Sequence, residues 1–325
     1  GMTAPGPVRA VLATAAALVI AGCAARGPVL VQAMAGAGGR VELESTPFFP
    51  QERYQCGPAA LATVLSAAGA DVTADSLVPE VYLPGRAGSL QAELVAATRR
   101  HDRLPYILPP TLDALLATLD GGLPVLVLQK LGAGPFPGWH YAVVVGYDAS
   151  RDQFVLRSGT EQRKEMSARH FLATWDRADR WALVALQPGA LPPAPDFARY
   201  MDAAAGLEAV GLRDAAALAY EAAARAWPAE SLPQFALANL AYARGDLAAA
   251  ERGFHAAVRL NPKDAAARNN RAEALRALGC PTLARREIEV ARVLAAGGPF
   301  SATVEATARA IASHEDGDVA GCPPD

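Results

Sequence analysis

The chain has 325 residues, about twice the roughly 150 of one typical domain, so two domains are expected. Its apolar fraction is 52% and its charged fraction 19%, which excludes a wholly disordered chain and leaves apolar side chains for two cores. Thirty Lys and Arg against 33 Asp and Glu give a net charge of -3, with no basic surplus for nucleic acid, and four cysteines without a C-x-x-C pair exclude a disulfide scaffold or structural zinc. No motif asks for a metal or a cofactor. The first element follows Arg9: Ala10 to Gly22 is an apolar run of 13 residues. A membrane-spanning helix needs about 20, so the run reads as the core of an export signal.

That run ends Ile20-Ala21-Gly22-Cys23. The tetrad resembles the lipobox of bacterial lipoproteins. The resemblance implies that residues 1–23 are a signal segment and that Cys23 is lipidated and becomes the N-terminus after cleavage. Ala24 follows, not the Asp linked with inner-membrane retention, which implies an outer-membrane lipoprotein facing the periplasm. Residues 24–44, with the run Ala35 to Arg40 (AGAGGR), read as a flexible tether.

The next informative stretch is Pro47 to Leu65, PFFPQERYQCGPAALATVL. Aromatics and prolines give an extended lead-in, then Gly57-Pro58 opens an apolar helix over 59–67, with Pro58 in the first turn where a missing N–H is tolerated. Cys56 therefore sits at the positive end of a helix, a position expected to favour thiolate over thiol. Thiolate attacks carbonyl carbon. Gln51, five residues upstream, carries an amide that with the Cys56 N–H can serve a developing oxyanion.

Of five histidines, His101, His170, His255 and His314 lie at charged helix ends, on helices or in the acidic tail. His140 differs. It follows the Gly/Pro loop 132–138 and opens the run Tyr141 to Tyr147 (YAVVVGY), whose β-branched and aromatic residues predict a buried strand. A turn over 148–152 leads to a return strand over 154–156. A histidine at a sheet rim is placed to act as a base. Gln51-x4-Cys56-Gly-Pro-Ala-Ala-Leu, a helix, then Trp139-His140-Tyr-Ala-Val-Val-Val-Gly-Tyr on a strand resembles the C39-type and C39-like cysteine peptidases. The resemblance covers residues 45–187. It implies a papain-like α+β domain with Cys56 as nucleophile, His140 as general base and acid, and Gln51 as oxyanion donor.

In that family an Asp or Asn on the following strand orients the histidine. The hairpin puts residues 158–160 opposite His140, so Ser158 stands where the family has its Asp, with Thr160 and Glu161 as nearby alternatives. Asp148 lies eight residues along the strand, about 26 Å away at ~3.3 Å per residue, and cannot reach. A serine hydroxyl can fix the tautomer but brings no charge to imidazolium.

Pro188 to Pro195 (PGALPPAP) predicts a linker over 188–197. Beyond it a period of 34 residues recurs: Gly211, Gly245, Gly279; Ala204, Ala238, Ala272; Ala216, Ala250, Ala284; Tyr220, Phe254, Ile288; Ala223, Ala257, Ala291. Pro228 and Pro262 close two units. This resembles three tetratricopeptide repeats, over 198–296, with a capping helix and tail over 297–325. Cys280 and Cys322 can form a disulfide in an oxidising compartment or stay free. The expected function is a lipid-anchored envelope cysteine peptidase whose repeats bind a peptide, protein substrate or envelope partner. The alternative is a weak or inactive peptidase-like scaffold that holds a peptide. The same residues also suit acyl transfer or an amidase acting on a non-protein amide.

Overall fold

The computed structural model describes residues 28–33, 39–50, 55–86, 88–132, 138–313, 317–318 and 321–323. The signal segment with Cys23, part of the tether, Gln51, most of the loop before His140, and His314 lie outside the described residues. Internal contacts divide the chain into two units. One comprises the described residues up to Leu94 with Leu108–Val184, and the other Val95–Ile107 with the residues from Ala185 onward.

The elements run α1 (Val29–Ala33), β1 (Arg40–Glu42), α2 (Cys56–Ala67), α3 (Ala74–Val81), α4 (Gln91–Arg100), β2 (Leu104–Ile107), α5 (Leu112–Asp120), β3 (Val125–Leu131), β4 (Gly138–Asp148), β5 (Gln153–Ser158), β6 (Glu161–Ser167), α6 (Ala168–Asp176) and β7 (Ala182–Leu186). The strands form one sheet in the order β2-β7-β3-β4-β5-β6, with β1 added to β4. All register pairs of β3 with β4, β4 with β5 and β5 with β6 are antiparallel. This is a papain-like α+β arrangement.

β4 is long because Tyr141 to Tyr147 is apolar on both faces, and every one of those residues is buried. It pairs with β5 as Val143↔Arg157 and Val144↔Leu156, with a bulge between Val144 and Gly146. The hairpin turn is made by Asp148, whose Oδ1 accepts from Ser150 Oγ at 2.6 Å and from the Arg151 N–H at 3.1 Å. Asp148 thus serves the turn. α2 begins at Cys56 itself, three residues before the expected start, and buries Gly57 to Leu65 without a break. A helix apolar on all sides is a core helix. It packs against β4, β3, β5 and α3.

In the second unit seven helices follow: α7 (Phe197–Ala209), α8 (Arg213–Ala226), α9 (Leu232–Ala243), α10 (Leu247–Leu260), α11 (Ala265–Ala277), α12 (Pro281–Ala295) and α13 (Ser301–Ala312). They resemble tetratricopeptide repeats in three hairpins and a final helix. The phased residues explain the repeat. All twelve alanine, tyrosine, phenylalanine and isoleucine positions named above are buried, because paired helices approach where side chains are small. Gly211, Gly245 and Gly279 have φ of +85°, +80° and +76°, the left-handed turn that other residues resist. Asp246 and Asp264 cap α10 and α11. Cys280 and Cys322 form a disulfide, and Asp318 Oδ1 accepts from the Thr282 N–H at 2.8 Å, capping α12. Arg271 bridges Glu251 at 3.0 Å and Glu287 at 2.6 Å, a buried charge set tying α10, α11 and α12.

Candidate active site

Cys56 is partly buried at the first turn of α2. Its sulfur is served by the backbone N–H groups of Tyr141, Gly57 and Cys56 itself. Tyr141 is the residue after His140, so the thiol is held against the strand that carries the histidine. The Tyr141 side chain fixes the same region: its hydroxyl donates to the Ser89 carbonyl at 3.3 Å, and its ring packs edge-on to Trp181 at 6.0 Å.

His140 lies at the N-terminal end of β4, opposite Gln129 of β3. Gln129 is itself locked, because its Nε2 donates to Thr174 Oγ1 on α6 at 2.8 Å. His140 Nε2 is 2.8 Å from Ser158 Oγ, and Ser158 is buried at the end of β5. The hairpin register brings these two together. Glu161 is taken by Lys164 Nζ at 2.9 Å and lies exposed. Cys56, His140 and Ser158 are therefore gathered around the start of β4, while Gln51 is outside the described residues. The other described histidines sit elsewhere: His255, for example, is 3.2 Å from Arg271 in the repeats.

The electrostatics correct one expectation. Burial pushes the Cys56 thiol above its ordinary value, and the three N–H groups pull downward without overcoming it. The N-terminus of α2 does not yield a resting thiolate, because the helix is enclosed by core and an ion there loses its water. His140 is pushed down to about 4, by burial first and by the positive Lys164 second. At neutral pH the pair is thiol and neutral imidazole. No group of three or more metal-ligating side chains occurs among the described residues.

The sequence model of the Peptidase_C39 like family matches residues 43–183. That segment, a little under half of the chain, is similar to the family. The C39-like domain thus contains Cys56, His140 and Ser158. No curated protein matches the chain. Among solved structures, a Bacillus anthracis protein described as a C39-like peptidase aligns at 16% identity over 46% of this chain and 98% of its own, with a TM-score of 0.39. The Yersinia enterocolitica type III secretion translocator chaperone SycD aligns at 20% identity over 36% of this chain and 83% of its own, TM-score 0.34. The first TPR of Spaghetti (RPAP3), solved with an HSP90 peptide, aligns at 24% identity over 36% and 90%, TM-score 0.33.

Three neighbours of the C39-like site carried no readable sequence signal. The Tyr141 N–H is a backbone group, Lys164 is brought in by β6, and Ser89 arrives from the segment before α4.

Proposed function

We propose that the chain is a lipid-anchored cell-envelope cysteine peptidase that cleaves a peptide or protein substrate. The observation that carries this reading is the 2.8 Å contact of His140 Nε2 with Ser158 Oγ, beside a thiol seated on the N–H of the next residue. With Ser158 Oγ accepting from Nε2–H, Nδ1 is left unprotonated and serves as the base. Nδ1 takes the thiol proton as Sγ attacks the peptide carbonyl carbon, and the carbonyl π pair moves to oxygen. The N–H groups at the start of α2 can serve that oxyanion, with the Gln51 amide as the further donor expected from the sequence. On collapse the C–N bond breaks, Nδ1–H protonates the leaving amine, and a thioester remains on Cys56. Water, deprotonated by Nδ1, then releases the acid and restores the thiol.

Three features support the rest. The tetrad ending at Cys23 suits lipidation, and lipid chains hold a protein to a bilayer without a spanning helix. The Cys280–Cys322 disulfide suits an oxidising compartment such as the periplasm. The paired helices of the second unit form the kind of solenoid whose extended surface takes a peptide or an envelope protein. A second reading is a peptidase-like scaffold with little turnover. It is favoured by Ser158, which brings no charge, and by Lys164, which disfavours imidazolium.

The test is a terminal-peptide map of an envelope extract incubated with the full chain. Wild type should create new N-termini that the Cys56→Ala variant does not. Identical maps from the two would leave the scaffold reading in its place.

A further inference from the structure

Gly57 has no side chain for a reason the fold supplies. A Cβ built there would lie 2.2 Å from Ser89 Oγ and 2.5 Å from Ser89 Cβ. Ser89 thus packs onto the α-carbon of the residue next to the nucleophile. Its position is held from β4, because the Ser89 carbonyl accepts from the Tyr141 hydroxyl while the Tyr141 N–H serves the Cys56 sulfur. One residue therefore anchors both the thiol and the serine. The Ser89 Oγ atom itself is buried and makes no hydrogen bond among the described residues. A buried hydroxyl without a partner is destabilising. A substrate oxygen is one acceptor that could complete it.

We propose that Ser89 is a catalytic residue of this site, its hydroxyl donating to the carbonyl oxygen of the bound substrate and to the oxyanion that forms when Cys56 attacks. The inference rests on the peptidase reading. When Sγ bonds to the acyl carbon, the carbonyl π pair moves to oxygen, and the Ser89 O–H supplies that oxygen with a neutral donor. When the oxyanion collapses, the C=O bond re-forms and the leaving group departs with the electron pair. Ser89 keeps its proton throughout. The site needs such a donor, because Ser158 contributes no charge and the thiol is held in its neutral form by burial.

The experiment uses the full chain and p-nitrophenyl acetate, an acyl donor that demands no knowledge of the natural substrate. Three quantities are compared between wild type and Ser89→Ala: the burst rate of p-nitrophenolate, the rate of Cys56 alkylation by iodoacetamide, and the thermal midpoint. Acylation passes through an oxyanion and alkylation does not. The proposal predicts a burst slowed about tenfold or more, alkylation unchanged within about twofold, and a midpoint equal or raised, since a partnerless hydroxyl has been removed. A burst rate equal to wild type overturns it. So does a parallel loss of burst, alkylation and midpoint, which would make Ser89 a packing residue only. A wild-type burst no larger than that of Cys56→Ala would instead remove the peptidase reading itself, and the role of Ser89 with it.

Discussion

At residue scale the candidate site withholds charge. Neither Cys56 nor His140 is ionised at neutral pH, since burial disfavours both the thiolate and the imidazolium. His140 therefore links folding to pH. Unfolded, the imidazole takes its proton as pH falls through about 6.5; folded, it does so only near about 4. Between those values the unfolded state binds more protons, so stability falls as the solution is acidified. The full effect is about 3 kcal/mol at and below pH 4. Denaturant midpoints of His140→Gln should lack that part of the acid dependence, and an unchanged slope between pH 6.5 and 4 would contradict it. Ser158→Asp provides the converse case. A carboxylate 2.8 Å from Nε2 should raise the His140 pKa, measurable by imidazole NMR titration, and should keep or increase turnover.

At element scale, much was legible because it is periodic. The buried strand after His140, the turn at Asp148 and the 34-residue phase each repeat a pattern that backbone geometry demands. The expected hairpin brought residues 158–160 to His140, and Ser158, with no carboxylate to mark it, lies 2.8 Å from His140 Nε2 although the register sets it across from Ala142. The start of α2 at Cys56 was less clear, as Gly57 and Pro58 are poor helix formers in isolation and only the surrounding core holds them. The direction of the Cys56 shift was illegible for the same reason. A helix N-terminus is visible in sequence, but the burial that outweighs it is a property of β4, β3 and α3 packing around it. Ser89 and the Asp318 cap on α12 depend on segments distant in sequence, which no local pattern reports. The repeat phase makes its own prediction. Phe254 is buried in α10 against Phe235 of α9, ring centroids 5.8 Å apart. Phe254→Ala should destabilise the helical unit by about 3–5 kcal/mol in chemical denaturation, whereas the equivalent change at exposed Leu218 should alter it by less than about 0.5 kcal/mol.

At the scale of the whole molecule, a C39-like domain with an apolar central helix is joined in one chain to a helical solenoid. Among the described residues no helix is long and apolar enough to cross a membrane, and the attachment proposed above is the lipid on Cys23. Cys23→Ser should move the protein from the membrane fraction to the soluble one or leave it unprocessed, and unchanged fractionation would remove the anchor. The central claim is that Cys56 is a nucleophile activated by neutral His140. The most direct measurement is the pH dependence of Cys56 acylation by p-nitrophenyl acetate in the wild-type chain and in His140→Ala. The account predicts a rate that rises as pH increases through about 4, where the imidazole loses its proton, and then levels off. It further predicts that His140→Ala lowers the plateau by about 10²-fold or more. Equal rates in the two proteins, rising only where an ordinary thiol ionises, would contradict it.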